Sequence, residues 1–135
     1  MCDLSKLHRK RALVCGGRTY DDGMTVGRVL DSLDPSSIIE GGADGADWLA
    51  RLWSLQCGVA SSSDTYAPRP EDARRWGHAR ARTMRNARML AEGKPDYVLA
   101  FPGGRGTEDM VSKAKAAGVP VLRVRRDGSV EVDEP

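Results

Sequence analysis

Aromatic residues are scarce, with three Trp, three Tyr and one Phe in 135 residues. A protein that holds a nucleic-acid strand by stacking its bases needs several exposed rings, so that mode has little to draw on here. The core must instead be built mostly from Val, Leu, Ile, Ala and Met. Cysteine is nearly absent. Cys2, Cys15 and Cys57 are odd in number and lack CxxC spacing, which excludes a disulfide framework and a zinc site. Cys15 and Cys57 sit in apolar stretches and read as buried thiols. Long apolar runs are missing too: none approaches the roughly 20 residues of a membrane span, and no signal peptide is visible. A reducing cytoplasm is the expected location. Finally, there is no large excess of one charge. A net charge of +2 excludes a chain that is basic throughout.

What is present fits one ordinary domain. Folding a chain of this size buries roughly two-thirds of its unfolded surface, enough for a core without staples. The sequence shows no repeat, low-complexity tract or linker. Residues 1–10 are polar and basic and read as a loose N-terminal arm, and 11–135 as the folded domain. Of the 21 basic residues 16 are Arg. Genomic base composition produces such a bias, and so does anion recognition, because a guanidinium holds phosphate with a bidentate fork.

Short apolar runs alternate with helical periodicity along the chain. Strands are expected at 11–15, 37–40, 62–66, 97–101 and 119–124, with a small returning hairpin near 130–132. Helices are expected at 22–33, 44–57, 71–92 (in two pieces) and 107–117. Such alternation calls for an α/β domain: a mostly parallel sheet of about five strands, covered by helices on both faces, in three layers. Ligands of these folds bind outside the carboxyl ends of the strands. Three Gly-Gly pairs fall there: Gly16-Gly17, Gly41-Gly42 and Gly103-Gly104.

The stretch from Pro102 to Asp109 is the strongest motif, a strand feeding a glycine-rich turn and then a helix. Gly103, Gly104 and Gly106 let the backbone approach a ligand. The first N–H groups of the helix lack internal partners and favour a phosphate. Thr107 either donates to that phosphate or caps the helix, and Arg105 lies in the same turn. The stretch from Glu40 to Asp47 repeats the design. Asp44 is an N-cap candidate and Asp47 a first-turn acid. Alternatively these two, beside Gly45, contact a ribose hydroxyl, a base edge or a metal. Two carboxylates alone do not define a metal site, so no metal or other cofactor is expected. Gly16, Gly17 and Arg18 would bring a turn and a guanidinium to the same edge.

Residues 69–88 hold seven arginines and His78. If residues 74–85 are one helix, Arg74, His78, Arg82 and Arg85 lie on one face. Trp76, Ala79, Met84 and Ala87 would then supply the buried side. Arg85-Asn86 is the pair suited to reading phosphate and base together. Nucleophilic catalysis lacks support, since neither His8 nor His78 has an evident Ser or Cys partner. Glu40, Asp44, Asp47, Glu108 and Asp109 are the candidate general acids or bases.

At these residues the sequence resembles a known group. Gly41-Gly-Ala-Asp-Gly-Ala-Asp47, Thr83-Met-Arg-Asn-Ala-Arg-Met89 and Ala100-Phe-Pro-Gly-Gly-Arg-Gly-Thr107 are similar, in that order, to the YspA-like (cpYpsA-related) branch of the SLOG superfamily. That superfamily includes Smf/DprA and LONELY GUY-type proteins. The resemblance covers about residues 11–125. It implies a Rossmann-like fold that binds nucleotides or nucleotide-derived ligands, often as a dimer or other homo-oligomer. By position it implies that Gly103, Gly104, Gly106 and Thr107 hold phosphate and that Arg85 is the motif arginine. LONELY GUY-type enzymes carry a glutamate where this chain has Met110. Glu108 or Asp109 would have to replace it for phosphoribohydrolase chemistry. Three functions follow: binding or sensing of a nucleotide or ADP-ribose-type ligand, N-glycosidic hydrolysis of a nucleoside phosphate, and single-stranded nucleic-acid binding.

Overall fold

The computed structural model describes residues 4–58 and 61–133. Residues 1–3 of the expected arm, with Cys2, and residues 134–135 lie outside them. Six strands form one sheet: β1 (Arg11–Cys15), β2 (Ser37–Glu40), β3 (Ser62–Thr65), β4 (Tyr97–Ala100), β5 (Val121–Val124) and β6 (Val130–Asp133). Their order is β3-β2-β1-β4-β5-β6. The first five are parallel and β6 returns antiparallel on β5, as the Asp127-Gly128 turn requires. The expected mostly parallel sheet with a C-terminal hairpin is the one observed.

Helices α1 (Gly23–Leu33) and α2 (Ala46–Cys57) cover one face, and α4 (His78–Gly93) and α5 (Arg105–Ala116) the other, with α3 (Pro70–Trp76) leading into α4. The strands alternate between two cores, as a period of two demands. Ala12 and Val14 join Val29, Leu30 and Trp53 on the α1–α2 face. Leu13 and Cys15 join Met89, Met110 and Val111 on the other. Central strands buried on both sides therefore read as unbroken apolar runs. The edge strand β3, Ser-Ser-Asp-Thr, is short and polar, which blunts that edge against pairing with another sheet.

Local signals account for the boundaries. Asp22 caps α1, accepting from the Thr25 N–H at 3.1 Å, and Asp34 closes the helix in the left-handed region. Gly77, at φ +92, separates α3 from α4, so the arginine-rich stretch is two helices rather than one.

Three expectations fail for physical reasons. The segment 4–10 is not loose: Leu4 and Leu7 pack against the α1–α2 core, and the Arg9 N–H donates to the Asp34 carbonyl at 3.0 Å. Asp44 does not cap α2; it is exposed, and the cap position is Gly45, with no side-chain hydrogen bond. The buried side of the arginine-rich stretch is not the expected one. Trp76, Ala79 and Ala87 are exposed, Met84 is half-buried, and Ala81, Arg85, Asn86 and Met89 turn inward. The cause is the cleft above the sheet edge, which accepts polar groups where the sheet interior would not.

Candidate functional site

The winding of the sheet reverses between β1 and β4. The loop after β1 leads to α1 on one face, and the loop after β4 leads to α5 on the other, so the two diverge and open a crevice. At its centre is a cavity of about 460 Å³, lined by residues of the loops after β1, β2 and β4 and of α2, α4 and α5, among them Arg18, Asp47, Arg82, Arg85, Asn86, Gly104, Arg105 and Thr107.

The glycine pairs hold these loops together more than they line the cavity. Gly17 donates its N–H to the Pro102 carbonyl at 2.8 Å, and its own carbonyl accepts from Tyr20 and Ala46. Gly45 adopts φ +76, and a Cβ there would collide with the Gly17 carbonyl. A Cβ on Gly41 would occupy the place of the Arg85 guanidinium. Gly104 differs, because nothing lies within 4 Å of where its Cβ would be. Of the expected site residues, Gly16, Arg18, Asp47, Arg85, Asn86, Gly104, Arg105, Gly106 and Thr107 line this cavity. Pro102 and Gly103 border a neighbouring one. Gly17, Gly41, Gly42, Asp44 and Gly45 border neither.

Arg85 is 8% exposed. Its Nη1 donates to the Gly41 carbonyl, and its Nε donates to Asn86 Oδ1 at 2.9 Å. Its Nη2 has no hydrogen-bond partner among the described residues. Burial pulls this guanidinium below its usual range, while the Asp47 charge opposes that pull. Asn86 in turn donates to the Gly106 carbonyl at 3.2 Å and to Asp109 Oδ2 at 3.0 Å, tying α4 to α5.

Asp47 is the one carboxylate among the lining residues. Its Oδ2 accepts from the Gly41 N–H at 2.8 Å. Burial pushes its pKa up to about 6, against the Gly41 hydrogen bond and the Arg85 charge; the Glu40 charge adds to the rise. Glu40 is buried but faces away from the cavity, accepting from the Gly42 N–H at 2.9 Å and from the Thr65 hydroxyl.

The ladder of α5 starts with the Glu108 N–H donating to Gly104 at 3.0 Å, which leaves the N–H groups of Arg105, Gly106 and Thr107 without intrahelical partners. Thr107 is not the cap, since Gly104 holds that position; it is buried two residues inside the helix. Glu108 and Asp109 lie off the cavity wall. Glu108 pairs with both terminal nitrogens of Arg123 at 2.8 Å, which holds its carboxyl below the usual range. Asp109 binds Lys113 at 2.5 Å. Met110 is in the core beneath α5.

Cys15, Thr19, Ala43 and Arg82 line the cavity without having been singled out for it. Arg82 carried a usable signal, three residues before Arg85 on one helical face. Cys15 carried none, because period-two alternation does not say which face of a strand meets the cleft. Burial pushes its thiol well up.

These features define a doubly wound, Rossmann-like α/β domain with a polar, arginine-lined crevice at its switch point. A solved structure has the same fold: DNA processing protein A (DprA) from Streptococcus pneumoniae aligns over 90% of this chain with a TM-score of 0.67, at 19% sequence identity. The chain spans about half of that protein, 52% of its length. Neither a protein-family model nor a curated protein matches the sequence. No helix among the described residues is long and apolar enough to cross a membrane.

Proposed function

We propose that the chain binds a nucleotide or a nucleotide-derived molecule, with phosphate seated at the amino end of α5. The observation that carries this reading is Arg85, a buried guanidinium with one nitrogen unpartnered on the wall of the cavity. Holding a cation out of water is costly unless an anion meets it. Arg105, Gly106 and Thr107, whose N–H groups lack intrahelical partners, border the same space, and Arg18, Arg82 and Arg105 add charge. Binding stands ahead of the family's phosphoribohydrolase chemistry because Glu108 and Asp109, which would have to replace its glutamate, are held in ion pairs off the cavity.

Calorimetric titration with AMP, NAD and ADP-ribose tests the reading. At least one should bind the native chain, and Gly104→Val should abolish that binding. The new Cβ meets open space, so circular dichroism should show the fold retained, with at most a modest loss of stability from valine at the cap position of α5. Unaltered affinity in the variant would refute the placement. Free base or ribose phosphate appearing during the incubation would convert the binding site into a hydrolytic one.

A second reading, single-stranded nucleic acid, is favoured by one feature besides the fold shared with a DNA processing protein. Trp76 is 53% exposed. The guanidinium carbons of Arg75 and Arg80 lie 4.9 and 6.0 Å from its ring centroid. An exposed ring within a basic surface suits a base and its phosphate.

A further inference from the structure

Two buried side chains of opposite charge share the cavity wall without pairing. Asp47 is 5% exposed and Arg85 8%, and both line the cavity. No ion pair joins them. Gly41 links them instead: its N–H donates to Asp47 Oδ2 at 2.8 Å, and its carbonyl accepts from Arg85 Nη1. The carboxyl and the guanidinium are therefore both fixed to one backbone residue, on the wall where an anion would sit.

The other charges near Asp47 come from around the crevice. Arg18 from the loop after β1, Arg82 from α4 and Arg105 from α5 line the same cavity. Glu40, at the end of β2, adds a second negative charge. Cys15, at the end of β1, stays an uncharged thiol because burial pushes it well up. In the empty cavity the arginines offset the Asp47 charge. An arriving phosphate engages those arginines and adds negative charge to the same confined space. Repulsion between the anion and an ionised carboxyl is strong where little water screens it. Asp47 ionises at about pH 6 in the empty cavity, near enough to neutrality for that repulsion to return its proton.

We propose that Asp47 is a proton switch in the phosphate site: ionised in the empty cavity at neutral pH, it takes up one proton from solvent as the anion binds. The inference rests on the phosphate site proposed above and adds its regulation. The bound anion favours the protonated carboxyl, so affinity rises as pH falls. The rise levels off below about pH 6, where the empty site already holds the proton.

Calorimetric titration of the native chain and of Asp47→Asn with AMP, NAD and ADP-ribose, from about pH 8 to 5.5, tests it. Asparagine removes the charge and keeps an oxygen for the Gly41 N–H. Exposed His78 and the ligand titrate alike in both proteins, so the ratio of the two affinities isolates Asp47. At about pH 8 the variant should bind at least one compound about tenfold tighter than the native chain, the worth of one unit of pKa shift. The two affinities should converge below about pH 6. Repeating the native titration near pH 7 in buffers of different ionisation enthalpy reads proton uptake without a variant. NAD and ADP-ribose suit it, because their diphosphates do not titrate in this range. Parallel pH profiles, weaker binding by the variant at about pH 8, or no proton uptake by the native chain overturns the switch and leaves the phosphate site standing. Binding of none of the three compounds by either protein at any pH overturns both.

Discussion

Asp47 ionises at a cost in this fold. Its pKa lies at about 6, above the ordinary 3.8, so the folded state holds its proton more tightly than the unfolded chain. Stability contributed by this group is greatest below pH 4 and falls as pH rises from about 4 to 6, by at most about 3 kcal/mol. Asp47→Asn keeps an oxygen for the Gly41 N–H and removes the charge. Urea denaturation should find the variant at least as stable as the native chain at pH 7, with a flatter profile between pH 4 and 6. A steeper profile would show that another group governs the acid range. Met110 makes the complementary point. The resemblance compares it with a catalytic glutamate, yet it sits among Val98, Ala100 and Val111, 1% exposed. Met110→Glu should lower stability by about 3 kcal/mol or more, through an uncompensated buried carboxyl, rather than create activity. Denaturation midpoints and a hydrolysis assay read the two outcomes separately.

At the scale of elements, the sequence signals that held were those of local origin. The apolar runs 11–15 and 37–40 form strands with those bounds, because their burial on both faces leaves no periodicity to misread. Helix starts were less legible. Gly45 rather than Asp44 begins α2, because the Gly17 carbonyl lies where a side chain would be and accepts the Ala46 N–H. That packing of the β1 loop on the head of α2 cannot be read from either segment alone. Gly45→Ala should cost about 2 kcal/mol or more, combining a left-handed φ with a backbone collision. Differential scanning calorimetry would detect it, and an unchanged melting temperature would mean that the two loops separate easily. The inward turn of Arg85 and Asn86 was equally hidden, since a helical wheel ranks an arginine as exposed. The Gly41 carbonyl and the missing Gly41 Cβ are what give the guanidinium a place.

Across the whole molecule, charge is distributed in a way the net +2 conceals. Residues 69–88 carry seven arginines against two acids, on α3 and α4 beside the crevice. If the ligand is a nucleotide held in the crevice, few phosphates are neutralised and affinity should decline gently with salt. If a strand of nucleic acid runs over α3 and α4, several counterions are released and affinity should drop by orders of magnitude between 50 and 200 mM salt, as is general for such contacts. Titrating AMP and a short oligonucleotide across that range by calorimetry separates the two. The mononucleotide reading predicts a shallow slope and weak oligonucleotide binding.

The amino-acid order was enough for the layered α/β architecture, the parallel sheet and the placement of all three Gly-Gly pairs at strand ends, because these follow from short-range periodicity and from the conformations glycine permits. It was also enough to single out Arg85-Asn86 and the turn before α5. Only the folded chain decided what each glycine is for. Gly104 opens onto the cavity, Gly41 makes room for a buried guanidinium, and Gly17 and Gly45 join two loops. It also separated Asp47, which lines the cavity, from Glu108 and Asp109, which do not. Those distinctions depend on which backbone and side-chain atoms meet across segments distant in sequence, and no local pattern encodes such encounters.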